Sequence, residues 1–316
     1  MAPDSFKGTL PAREVAAAVA RGLRAGRAEA TEMPIADGGE GTAEALGGTA
    51  VAVTVSGPLG ARVDASFLLR EDASAVVECA AASGLGLVKE AERDAWAAST
   101  YGTGELIAAA ASAGASLVLV GVGGSATTDG GAGAIAALRE AGVAPRMEVL
   151  CDVRTPFEDA ARVFGPQKGA DPAAVKRLSK RLDAFAAAAP KDPRGVAMTG
   201  AAGGLAGGLW AHFGAKLVPG APYVLDALGF DAHMRDVAFV ITGEGKIDAQ
   251  SLAGKAVGEV ATRCRQSGVP CHAVVGENAL EPFEARILDL ETITEAGTAA
   301  ELEEAGRTLA QLAPGT

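Results

Sequence analysis

Leu117-Val-Leu-Val-Gly-Val-Gly-Gly-Ser-Ala-Thr-Thr-Asp-Gly-Gly131 is the stretch on which the fold turns. Its first four residues form the short apolar run expected of a strand buried on both faces. The glycines from Gly121 make a tight turn, and residues 130–141 carry a helical pattern. A buried strand that passes through a glycine loop into a helix is the building unit of an α/β protein with a mainly parallel sheet.

The alternation continues on both sides. A helix over 101–113 precedes the strand; a strand at 148–152 and a helix at 172–189, opened by Asp171-Pro172 as N-cap and first turn, follow it. Gly200-Ala-Ala-Gly-Gly-Leu-Ala-Gly-Gly208 starts a glycine-softened helix. From 237 the spacing predicts a strand at 237–242, a loop at 243–248, a helix at 254–267, strands at 269–275 and about 286–293, and a helix at 299–312. Near the N-terminus, Val15, Val19 and Leu23 mark a helix over 11–25 that Gly26 stops, and Met33-Pro-Ile35 is a weak short strand. Val51, Val53 and Val55 alternate, Gly57-Pro-Leu-Gly60 turns, and Val63, Ala65 and Phe67 alternate again, which is a β-hairpin.

These elements imply two α/β domains. Residues 1–49 and 236–316 supply about five parallel strands for a discontinuous, doubly wound sheet, and 50–235 form an inserted mixed α/β domain. A chain of 316 residues suits two domains of roughly 150.

Composition removes several function classes. A net charge of −11 repels nucleic acid and anionic lipid, and 4% aromatic residues leave no stacking platform for single strands. Four cysteines without CxxC or paired spacing point to a reducing cytoplasm, and Met-Ala-Pro-Asp-Ser-Phe-Lys-Gly8 has no signal-peptide character. Residues 106–128 carry no charge over a length that could span a bilayer, but the Gly114-Ala-Ser break divides them into helix then strand. Glycine is in excess, at 42 residues, and tight glycine turns are how α/β proteins hold phosphate.

No GxxxxGK[ST] occurs, since Leu252-Ala-Gly-Lys255 is followed by Ala256. Gly121-Val-Gly-Gly-Ser-Ala126 has the form of a dinucleotide fingerprint, but no acidic residue follows at the required distance, and Asp129 would repel a bare pyrophosphate. An aspartate beside a loop of N–H groups suits phosphate neutralised by Mg²⁺ instead. Similar pairings recur at Asp37 and Glu40, at Glu244 and Asp248, and at Asp152 after a strand, with Lys7, Lys168 and Lys246 as cations. Phosphoryl transfer needs both kinds of group: cations and N–H donors offset the charge on the moving phosphoryl, and a carboxylate orients the attacking hydroxyl. Each residue has a plainer role open to it. Asp37 suits a turn, Asp4 and Ser5 a helix cap, Lys168 an ordinary loop, Asp171 a cap, and His212, His233 and His272 the interior.

Eight strings in order along the chain resemble the bacterial type I glycerate kinases, a family unrelated to the P-loop kinases. They are Ala2-Pro-Asp-Ser-Phe-Lys-Gly8, Ala36-Asp-Gly-Gly-Glu-Gly41, Ser99-Thr-Tyr-Gly-Thr-Gly-Glu-Leu106, Gly121–Gly131, Cys151-Asp-Val153, Phe164-Gly-Pro-Gln-Lys-Gly169, Gly200-Ala-Ala-Gly-Gly204 and Thr242-Gly-Glu-Gly-Lys-Ile-Asp248. The resemblance implies ATP- and Mg²⁺-dependent phosphorylation of D-glycerate, usually at the 2-hydroxyl, by a flavodoxin-like domain and an inserted one with the substrate between them. It implies that Lys7 clamps a phosphate or carboxylate, and that Asp129 and Asp152 orient the hydroxyl or hold Mg²⁺. Lys168 and Gln167 then complete the anion site, and Asp4, Ser5, Asp37, Gly38, Gly39, Glu40, Thr100, Gly102, Thr103, Gly123, Gly124, Ser125, Glu244 and Asp248 bind substrate or nucleotide. Two departures stand out: the family usually carries several apolar residues ahead of the first string, where here only Met1 precedes Ala2, and the connection from Leu138 to Cys151 is short. Either the start is misplaced or truncated, or the sheet lacks most of its first strand. A non-catalytic sensor of small organic acids and an NAD-dependent dehydrogenase are the alternatives.

Overall fold

The computed structural model describes residues 1–6, 8–249, 251–253 and 255–313. Its strands are β1 (Ala2–Pro3), β2 (Thr49–Ser56), β3 (Arg62–Leu69), β4 (Ser74–Glu78), β5 (Leu117–Gly121), β6 (Met147–Cys151), β7 (Lys216–Pro219), β8 (Val240–Ile247), β9 (Cys271–Asn278) and β10 (Thr292–Glu295). The chain forms two compact units, Met1–Asp37 with Ala221–Thr316, and Gly38–Gly220.

The first unit is built on a parallel sheet of order β1-β8-β9-β10. On the open side of β1, Met33 N–H donates to the Met1 carbonyl and Ile35 N–H to the Pro3 carbonyl, at 2.8 and 3.0 Å. The segment 31–35 thus runs beside β1 as a fifth, irregular member, and the sequence of neighbours becomes the 2-1-3-4-5 order of flavodoxin-like sheets. β1, at Ala2–Pro3, is held on both edges. The Met1 ammonium donates to the Thr31 carbonyl at 2.8 Å, and burial pulls its pKa down to about 6. A cavity of about 600 Å³ lined by Leu23, Met33, Phe230, Met234 and Phe239 lies at that end of the strand. The helices Ala12–Ala25 and Ala299–Leu309 close on each other beside this sheet through two glycines. A Cβ on Gly22 would meet the Glu303 carbonyl at 1.9 Å, and one on Gly306 the Val19 carbonyl at 2.2 Å. Val15, Val19, Leu23, Ile241, Val274, Leu302 and Leu309 form the core there.

The second unit carries a mixed sheet of order β2-β3-β4-β5-β6-β7. The predicted hairpin is the eight-pair antiparallel β2–β3 ladder, and β4 to β7 run parallel. Val77, Val118, Val120, Val149, Leu106 and Leu138 lie in its core.

Four departures from the sequence reading have physical causes. The units divide earlier than residues 49 and 235. Ala43, in the helix Thr42–Leu46, donates its N–H to Glu78 at the end of β4, so 38–48 packs with the second unit. Arg263 bonds Asp226, Asp231 and the Pro222 carbonyl, which ties 221–235 to the first. Residues 243–247 are strand, not loop, because glycines allow the β8–β9 backbones to approach: a Cβ on Gly243 would meet the Val274 carbonyl at 2.2 Å. Residues 282–288 are helical, not strand, where Glu281 and Glu284 form a reciprocal capping box before β10 begins at Thr292. Strands β4 and β7 also went unread, since neither carries the run of four apolar residues that marks β5. Among the described residues no helix is long and apolar enough to cross a membrane.

Candidate active site

In each unit the chemistry gathers at the C-terminal ends of parallel strands, the edge at which open α/β sheets bind ligands. In the first unit, Asp4 and Ser5 follow β1, Asp37 follows the segment 31–35, and Glu244, Lys246 and Asp248 come from the end of β8. They line a cavity of about 440 Å³ together with Lys255 and Glu277. Asp4 and Ser5 do not cap the first helix, whose N-cap is Pro11; Asp4 Oδ1 accepts the Ser5 N–H. Glu244 is buried, and its Oε1 accepts a hydrogen bond from the buried Ser251 hydroxyl at 2.5 Å. Burial raises its pKa, opposed by that bond and by the Lys255 charge, and reinforced by Asp37 and Asp248. Lys246 pairs with Glu277 at 2.6 Å, while Lys255 and Glu277 are two lining residues that sequence patterning did not single out.

Among the described residues, no group of three His, Cys, Asp or Glu side chains is arranged to hold a metal ion by itself. Mg²⁺ typically takes one or two carboxylates and completes its shell with phosphate oxygens and water. Asp4, Asp37 and Glu244 around one cavity fit that partial donor set.

In the second unit, β5 runs into Gly121-Val-Gly-Gly-Ser125. Val122 N–H is taken by the Leu150 carbonyl and Ala126 N–H by the Ser83 carbonyl. The backbone between them turns through Gly124 at φ +71°, a left-handed step of the kind that anion-binding nests contain. A Cβ on Gly123 would lie 2.4 Å from Gly39 Cα, so the 38–41 and 121–125 loops meet at backbone distance. Beneath them Lys168, fully enclosed, donates Nζ to Ser125 Oγ at 2.9 Å and to the Thr127 carbonyl at 2.6 Å. Burial lowers its pKa to about 8, against the pull of Cys79 and Asp129. Asp152 follows β6, and Gln167 lies in the same short helix as Lys168. Glu78 ends β4, accepts the Ala43 N–H at 2.8 Å, and has its pKa raised by burial and by Glu40. Glu78 was missed; its one sequence signal is a carboxylate directly after the apolar Ala75-Val-Val77.

Other expected site residues turn out to hold the framework. Asp129 Oδ2 accepts Thr100 N–H, Thr100 Oγ1–H and Gly133 N–H, and Oδ1 accepts Gly131 N–H. These four bonds tie the carboxylate to the loop and to the start of the helix Ala132–Glu140, and leave Oδ1 with one accepted bond. Thr103 shares a hydrogen bond with Ser83 at 2.7 Å, and Gly102 lets its helix close on β2, where a Cβ would meet the Ser56 carbonyl at 1.7 Å. Asp171 caps its helix by accepting Ala174 N–H, and His212 and His272 bond Arg139 and Thr292. Lys7 lies outside the described residues.

Comparison with known proteins adds independent findings. The model of the glycerate kinase family matches residues 1–143 and 139–313. The chain is 39% identical over 324 residues to glycerate 2-kinase of Escherichia coli K12, covering 87% of this chain and 84% of that protein. It is 41% identical over 320 residues to a glycerate kinase of Halalkalibacterium halodurans, again over 87% and 84%. A crystal structure described as that of a glycerate kinase 2 from Salmonella typhimurium LT2 superposes with a TM-score of 0.81 at 36% identity, covering 98% of this chain and 96% of that one.

Proposed function

The chain belongs to the glycerate kinase family, and from that membership we infer how its residues carry out ATP-dependent phosphorylation of glycerate to 2-phosphoglycerate. Glycerate binds through its carboxylate to the N–H groups of Gly123, Gly124 and Ser125, with Lys168 supplying the positive charge behind them. Asp152 accepts the proton of the 2-hydroxyl as its oxygen forms a bond to the γ-phosphorus. The bond from that phosphorus to the bridging oxygen breaks, and ADP leaves.

The carboxylate-lined cavity of the first unit takes the nucleotide phosphates. Lys246 and Lys255 offset part of their charge, and Asp4, Asp37 or Glu244 completes the shell of a phosphate-bound Mg²⁺. When bound, that ion neutralises charge developing on the β- and γ-phosphates. Ser5, Gly38, Gly39, Glu40 and Asp248 shape these two sites, and Lys7 keeps its place as a clamp on the strength of its motif. A reducing, cytoplasmic setting is part of the proposal, supported by four cysteines that are all free thiols.

A glycine loop above an enclosed lysine in one unit, and a cavity of carboxylates and lysines in the other, support this assignment. The experiment is a coupled assay of ADP release on adding D-glycerate to enzyme, ATP and Mg²⁺. Glycerate-dependent ADP formation that falls at least tenfold in Lys168→Ala is expected. Turnover that ignores Lys168 would move the carboxylate elsewhere.

A further inference from the structure

Three cations draw three loops of the second unit together. Besides the two bonds of Lys168, Arg181 of the helix Pro172–Ala188 donates Nη2 to the Thr128 carbonyl at 2.5 Å and Nη1 to the Trp96 carbonyl at 2.7 Å. Arg93 donates to the Gln167 carbonyl at 3.3 Å. The consecutive carbonyls of Thr127 and Thr128 are therefore each pulled by a different cation, immediately before Asp129. The Arg181 guanidinium also lies 4.6 Å from the centroid of the Trp96 ring, and Arg177, one turn earlier, lies 5.0 Å from it. A ring face that holds two guanidinium groups limits where either can go.

The cluster is incompletely bonded. Among the described residues, the buried side-chain polar atoms without a hydrogen-bond partner are Arg93 Nε, Thr127 Oγ1, Thr128 Oγ1 and Arg181 Nε. All four belong to these loops and the cations that grip them. A staple serving stability alone is expected to have its buried donors satisfied, whereas unsatisfied groups collect where a protein keeps a particular geometry for function. The loop is held by its Val122 and Ala126 N–H groups, its Gly123, Gly124, Thr127 and Thr128 carbonyls and the Ser125 hydroxyl, and these anchors together set the direction of the N–H groups of Gly123 to Ser125.

We propose that Arg181, held against the face of Trp96, is a positioning residue that sets the anion-binding geometry of the loop Gly121–Gly131 through the Thr128 carbonyl. Arg181 acts through the loop and touches no reacting atom. The assignment rests on glycerate using that loop, and it makes Trp96 a reporter of its occupancy.

The test is steady-state kinetics of wild type, Arg181→Ala and Arg181→Lys in both substrates, alongside Trp96 emission in a Trp210→Phe background titrated with D-glycerate. In Arg181→Ala, KM for D-glycerate should rise about tenfold or more while KM for ATP stays within about twofold. Lysine should rescue part of this, since an ammonium can reach one of the two carbonyls but not both. Trp96 emission should change saturably with D-glycerate and lose that response in Arg181→Ala. A purely structural Arg181 would reduce the active fraction and lower kcat with both KM values unchanged, which overturns the proposal. If Arg181→Ala does not fold, Trp96→Leu keeps the guanidinium bonds and removes their backstop, and an unchanged KM for D-glycerate there overturns it equally. Wild-type enzyme without glycerate turnover defeats the functional assignment first; active wild type with an indifferent Arg181 defeats only this inference.

Discussion

Thr100 donates both its N–H and its hydroxyl to one oxygen of Asp129, at 2.9 and 2.8 Å, across 29 residues of sequence. The same hydroxyl accepts the Ala134 N–H at 3.0 Å, so a single threonine links the loop after β5 to the helices on either side. Two motifs that look like ligand contacts in sequence are, in space, one buried joint.

Asp129→Asn tests that joint. An amide nitrogen in place of either oxygen would face an existing donor, leaving a buried group unpaired at a cost of about 1–3 kcal/mol. The melting temperature should fall by roughly 2–12 °C, from about 2–4 °C per kcal/mol. An unchanged melting curve would show that the carboxylate is not needed for the joint.

Asp152→Asn should behave in the opposite way. The melting temperature should stay near that of the parent, while kcat falls by about 10²–10⁴, the usual contribution of a positioned proton acceptor. Full turnover with a lowered melting temperature would exchange the roles of the two aspartates.

Lys168 gives a pH dependence of defined sign. Its folded pKa of about 8 lies below the usual 10.5 because of burial. Between those values the unfolded chain holds more protons, so this group's effect is to make stability rise as pH climbs from about 8 towards 10.5. Over the same range Nζ loses the charge that faces the nest, so KM for D-glycerate should rise above pH 8. Kinetics from pH 7 to 10, with Lys168→Met as the reference for the melting curves, checks both trends. A KM flat to pH 10 would remove Lys168 as the cation of the site.

Gly203 and Gly142 both have positive φ, at +65° and +68°, but only Gly203 is hemmed in. A Cβ there would lie 2.0 Å from the Thr127 carbonyl, whereas one on Gly142 meets open space. Gly142→Ala should cost about 1 kcal/mol from backbone strain alone. Gly203→Ala should cost more than about 3 kcal/mol, because the loop carrying Thr127 must move. Chemical denaturation compares them directly, and equal losses would mean that the loop yields freely.

Long periodic elements were legible in sequence. The helices at 12–25, 101–112 and 172–188, the β2–β3 hairpin and β5 lie where spacing put them, since a core-facing stripe or an alternating face leaves a period to read. β4 and β7 were not legible, because neither carries the run of four apolar residues that marked β5. The helix at 282–288 follows Glu281-Pro-x-Glu284, a capping box whose first residue is a glutamate rather than the usual Ser, Thr, Asp or Asn, so its signal in sequence is weak. Motif spacing singled out Glu244, Asp248 and Lys168, of which the first two line one cavity and the third lies under Ser125. It could not separate Asp129 from Asp152, because both lie in the connections that follow parallel strands, in the same chemistry. Glu78 and Arg181 lie in no glycine motif, and only the folded backbone brings them to the loops they serve.

The central claim is the transfer of phosphate from ATP to the 2-hydroxyl of D-glycerate. ³¹P NMR of enzyme incubated with ATP, Mg²⁺ and D-glycerate measures it directly. One new monoester resonance is expected, coupled to the single proton on C2 and growing in step with ADP. A monoester coupled to the two C3 protons would place the transfer at the wrong hydroxyl, and ATP left intact in the presence of D-glycerate would contradict the account altogether.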